Sequence, residues 1–128
     1  MNAIKDAIKS GKTVVGTAGS PNVDVSLLAD AGFDFLLFDT QHSPWEIKQL
    51  QPPIQAMRGK QTAPVVRVAT NEAYQICFAL DAGARGIIVP MVNTRAEAVG
   101  DWAILGSVED EQLRAILNAG KARPSLAT

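Results

Sequence analysis

The chain has 128 residues, 47% of them hydrophobic and 20% charged, which suits one soluble domain with a buried core. Its formal net charge of −1 gives no electrostatic case for nucleic acid or an anionic membrane as partner. The start of the sequence lacks a long apolar leader, and no apolar run is long enough to span a bilayer, so a cytoplasmic location is the expectation. Cys77 is the single cysteine, which excludes a disulfide framework and a thiolate metal cluster and reads as a small buried hydrophobe.

Taken in chain order, Asn2 to Ser10 reads as a lead-in helix ending at Gly11, and Thr13 to Ala18 as a first strand. Ser20-Pro21 opens a helix to about Ala31, with proline at the favoured first position and Gly32 as terminator. Phe33 to Asp39 is a near-continuous apolar run, the pattern of a parallel strand covered on both faces. Ser43-Pro44-Trp45-Glu46 has the form of a capping box, and Pro52-Pro53 should break the following helix into two short pieces up to Arg58.

Pro64 to Val68 reads as the third strand. Ala73, Ile76, Cys77 and Leu80 follow at helical spacing as one inward stripe, closed by Gly83. Gly86 to Pro90 is the fourth strand, and Thr94-Arg95-Ala96-Glu97 a second capping box. Strands alternating with helices predict an α/β fold of parallel strands joined by right-handed crossovers. After about Val99 the pattern changes. Gly100 to Gly106 is ambiguous, Glu109 to Ala119 reads as a helix, and Lys121 to Thr128 as a frayed tail. The expected division is therefore 1–99 and 100–128.

The candidate chemistry lies at strand ends, which meet on one face in parallel α/β folds. Asp39 and His42 (the single histidine) follow the second strand, Arg67 lies near the end of the third, and Asn71 and Pro90-Met91-Val92-Asn93 follow the third and fourth. Asp39 is suited to accept from one ring nitrogen of His42 and raise the basicity of the other. Arg67 offers a fork of donors for a carboxylate or a developing enolate oxygen. General base plus anion clamp suits a small 2-oxo acid. The plainer readings are a surface-loop histidine, a structural arginine ion pair, Asp39 as a cap of the following helix, and Trp45 as packing.

The string Ala31-Gly32-Phe33-Asp34-Phe35 through Asp39-Thr40-Gln41-His42-Ser43-Pro44 resembles the HpcH/HpaI aldolase/citrate lyase family. Pro64 to Val68, Leu80-Asp81-Ala82-Gly83-Ala84 and Gly86 to Thr94 continue the match in order and spacing. The resemblance implies a (β/α)8 barrel, of which this chain carries about four βα units, and a class II pyruvate aldolase dependent on a divalent metal such as magnesium, manganese or cobalt. It implies His42 as acid/base, Asp39 as its partner and Arg67 as the group holding the 2-oxo acid, with an aldehyde as the other reactant. Gln41 stands where the family often has Glu. The family's fifth-strand Gln and metal-binding Glu have no counterpart here, and Asp101 is the candidate for a second metal ligand. A barrel of this type needs roughly 200 residues or more, so the expectation is a weak or inactive enzyme whose open sheet edges favour a homo-oligomer. The alternatives are a non-catalytic barrel remnant associating through its edge and a receiver-like signalling domain with Asp39 as phospho-acceptor.

Overall fold

The structure is a computed structural model and describes residues 2–99. The chain divides after Met91 into two units. The first carries four helices and four strands in the order α1 (Ala3–Lys9), β1 (Gly16–Ala18), α2 (Val25–Ala29), β2 (Phe35–Asp39), a 3-10 turn (Ile47–Gln49), α3 (Gln51–Ala56), β3 (Ala63–Arg67), α4 (Ala73–Ala82) and β4 (Gly86–Ile88). All strand pairs are parallel, and their spatial order follows their chain order. This is an α/β sheet with half the strands of a (β/α)8 barrel.

Burial along β2 and β3 alternates, and this fixes the two faces. Leu36 and Phe38 of β2, with Val66 of β3 and Val68 just beyond it, are fully shielded, as are Leu50 before α3 and Ile76 and Ala79 of α4. Parallel strands wound in one direction with right-handed crossovers place their helices on one side of the sheet, so these residues make the sheet–helix core. The other face carries Phe35, Leu37 and Asp39 beside Val65, Arg67 and Ile88, and it is only partly covered, Ile88 being 43% exposed. Small and large residues complement one another across it. Gly16 pairs with Phe35, and a Cβ added at Gly16 would lie 2.4 Å from the Phe35 ring; Gly86 pairs with Val65 in the same way, at 3.2 Å.

Several expected boundaries move, each for a local reason. β1 begins at Gly16 because Val15 is occupied by Asp34, whose carboxylate accepts from the Val15 N–H and whose own N–H donates to the Val15 carbonyl. The helix expected from Pro21 begins at Val25. Asp24 caps it by accepting from the N–H groups of Ser26 and Leu27, while Ser20 accepts from Val23 in a separate turn. The box at Ser43 to Glu46 starts no helix, since Glu46 is extended and makes no cap bond. The two short pieces expected around Pro52-Pro53 are the 3-10 turn and α3, but the prolines lie in the first turn of α3 and not at the break, because that turn has no acceptor for the N–H that proline lacks.

The stripe assigned to α4 is rotated. Ala73 and Cys77 are exposed, and Gln75, Ile76 and Ala79 face inward. Gly83 ends α4 in the left-handed conformation at φ 105°. In the second unit the described residues end at Val99, and the Thr94 box forms as expected. Glu97 accepts from the N–H groups of Asn93 and Thr94, Thr94 Oγ1 accepts from the Glu97 N–H, and those backbone donors hold the Glu97 carboxyl below its usual pKa. The ambiguous stretch, the C-terminal helix and Asp101 lie outside the described residues. No helix among the described residues is long and apolar enough to cross a membrane.

Candidate active site

Register brings the site together. Asp39 and Arg67 are the last residues of β2 and β3 and are direct partners in the parallel ladder, so their side chains leave the same face at the carboxyl end. Arg67 donates from Nε to Asp39 Oδ1 at 2.9 Å and from a terminal nitrogen to Oδ2, a side-on bidentate pair. The Asp39 side chain is 13% exposed and that of Arg67 30%. The Arg67 hydrogen bonds, helped by N–H donation from Gln41 and His42, hold the Asp39 carboxyl well below the usual carboxylate range against the opposing cost of burial. Asp39 in turn raises the already high pKa of Arg67.

The strand ends are pinned as well. Thr40 donates to the Arg67 carbonyl from both its N–H (2.9 Å) and its hydroxyl (2.8 Å). Asp39 then shapes the loop that follows. Its Oδ1 accepts from the N–H groups of Gln41 (2.9 Å) and His42 (3.2 Å), and its carbonyl accepts from the Ser43 hydroxyl, which accepts from the Trp45 N–H. Buried Trp45 closes the loop. Its indole N–H donates to the Gly19 carbonyl at 3.0 Å, past the end of β1, and its ring meets Phe38 edge to face.

Two of the expected site residues are therefore joined, in a different arrangement. Asp39 contacts the backbone of His42, and its partner is the Arg67 guanidinium, not the His42 imidazole as expected. The reason is geometric. Arg67 is the ladder partner of Asp39, whereas His42 is three residues along a turn whose N–H groups, not its ring, point back at the carboxylate. His42 is exposed on this loop and tied to the pair through its backbone N–H. Asp39 thus organises the loop after β2, not the helix cap of the plainer reading, and is an arginine partner at once. Sequence reasoning missed Thr40 and Ser43 as loop organisers; their place flanking Gln41-His42 in a post-strand turn was the available signal.

Among the described residues no group of three or more His, Cys, Asp or Glu is placed to hold a metal ion. Asp39, the carboxylate best placed for one, is already neutralised by Arg67. The donors on these residues do not fit a divalent metal. A depression of about 900 Å³ opens at the opposite, amino end of the strands, bordered by Asp34, Lys60, Thr62 and Arg85. It lies away from the end where parallel α/β folds carry chemistry.

The family profile for HpcH/HpaI aldolase/citrate lyase matches residues 17–118. A 4-hydroxy-2-oxo-heptane-1,7-dioate aldolase of Salmonella dublin is 40% identical over 99 residues, covering 76% of this chain and 38% of that protein. Among solved structures, an HpcH/HpaI aldolase/citrate lyase family protein from Burkholderia cenocepacia J2315 superposes with a TM-score of 0.72 at 28% identity, covering 81% of this chain and 42% of that one. The citrate synthase SbnG superposes with a TM-score of 0.65 at 33% identity, covering 75% and 40%. The chain belongs to the HpcH/HpaI aldolase/citrate lyase family. It spans about two fifths of the length of these relatives. Family membership sets aside the receiver-like reading.

Proposed function

We propose that this chain carries the 2-oxo acid half of a carbon–carbon lyase site that acts on 4-hydroxy-2-oxo acids, with pyruvate and an aldehyde as products. The observation that carries the reading is the Asp39–Arg67 pair at the carboxyl end of the sheet. A guanidinium has five N–H donors, and the side-on pair with Asp39 uses two of them. The end-on fork of Arg67 is left to receive the carboxylate of a 2-oxo acid, already oriented by its side-on bonds to Asp39.

His42 is the proton carrier, acting directly or through one water. It takes the proton of the C4 hydroxyl as the C3–C4 bond breaks. The aldehyde departs, the electron pair passes to C3 and the C2 oxygen as an enolate, and protonation at C3 gives pyruvate. The capped loop holds the His42 backbone in place. A divalent cation is implied by the family, but the described residues do not supply its ligands, so no step is assigned to one. On the same ground we propose that the chain alone cleaves weakly or not at all.

The test is cleavage of a 4-hydroxy-2-oxo acid followed through the pyruvate released. His42→Ala should abolish whatever rate the chain shows. Arg67→Ala should raise KM at least tenfold with a smaller change in kcat. Unchanged turnover in both variants overturns the assignment, and robust turnover by the unaltered chain overturns the proposal of weak activity.

A further inference from the structure

Gln75 is 6% exposed and sits in the first turn of α4. Its Oε1 accepts from the N–H of Ala69 at 2.8 Å and of Thr70 at 3.3 Å. A backbone N–H only donates, so this contact fixes which end of the amide is oxygen. The Nε2 end must therefore donate, to Thr70 Oγ1 at 2.9 Å and to Tyr74 Oη at 3.3 Å. The Glu72 side chain makes no cap bond to α4, and Gln75 reaches back past it to the two N–H groups that follow the end of β3.

Thr70 is consequently an acceptor toward Gln75, and its own proton must go elsewhere. Among the described residues no protein acceptor takes it, and Thr70 is exposed three residues beyond Arg67 at the carboxyl end of β3. We propose that Gln75 is a positioning residue that sets the 69–71 loop and turns the Thr70 hydroxyl into a second donor for the bound 2-oxo acid, beside the Arg67 fork. This deepens the proposed function and rests on it.

The probe is pyruvate, titrated calorimetrically into the full chain. Thr70→Val should weaken binding about tenfold, the loss of one hydrogen bond to a charged group, and Thr70→Ser should bind as the unaltered chain does. In Gln75→Glu the carboxylate still accepts from Ala69 and Thr70, so slow amide exchange at both positions should persist. It also captures the Thr70 proton, so pyruvate binding should fall to a similar degree. Combining Gln75→Glu with Thr70→Val should weaken binding no further than either alone. If Thr70→Val binds normally, or if the two losses simply add, the inference is overturned while Arg67→Ala still loses pyruvate. If the unaltered chain takes up no pyruvate, the inference falls together with the reading beneath it.

Discussion

Asp39 joins two strands and a loop through one carboxylate. It receives the side-on face of Arg67 and the N–H groups of Gln41 and His42. Asp39→Asn keeps an oxygen for the loop but removes the charge and one arm of the fork, and should cost about 1–3 kcal/mol in chemical denaturation. The pH dependence has a definite sign. The folded pKa lies below the unfolded one, so the stabilisation is full above the ordinary Asp value of about 3.9 and is lost as pH falls from there toward the folded value. Denaturation midpoints across that acid range should therefore fall less steeply in Asp39→Asn than in the unaltered chain. Equal slopes would show that Asp39 is not held in the ionised form.

At the scale of the elements, strands were legible as apolar runs, as at Phe35–Asp39 and Ala63–Arg67, although only one face of the sheet is sealed. The Thr94 box was legible because both of its reciprocal bonds lie within the four residues Thr94 to Glu97. The Ser43 box was not, since Ser43 Oγ accepts from the Trp45 N–H inside a turn closed onto the Asp39 carbonyl and Glu46 is extended, contacts that the local pattern does not encode. The α4 stripe was ambiguous between two faces one residue apart, and choosing by apolarity favoured Cys77 over Gln75. The four hydrogen bonds of Gln75 reverse that choice. Cys77 in the folded chain should thus react with a thiol reagent nearly as fast as in denaturant; strong protection would place it back in the core. Gly16→Ala pushes a methyl into the Phe35 ring and should cost about 1–3 kcal/mol, read from the thermal midpoint.

For the whole molecule, the sheet has one sealed face and one that is half open, and among the described residues β1 and β4 each have a strand on one side only. Sheet edges with unpaired N–H and C=O groups invite further pairing. We accordingly expect copies of the chain to associate, with a molar mass by light scattering above that of one chain; a clean monomer at high micromolar concentration would contradict it. That the Asp39–Arg67 juxtaposition at the strand ends was legible in the sequence, while a ligand set for the implied metal was not, reflects where the groups lie. Asp39, His42 and Arg67 fall on two adjacent βα units, and the only expected metal ligand, Asp101, is outside the described residues. The claim on which the rest depends is that Arg67, held by Asp39, binds the carboxylate of a 2-oxo acid. Titration of pyruvate into the unaltered chain and into Arg67→Ala tests it most directly. Saturable binding that weakens at least tenfold in the variant is the expected result, and equal binding by the two proteins would contradict it.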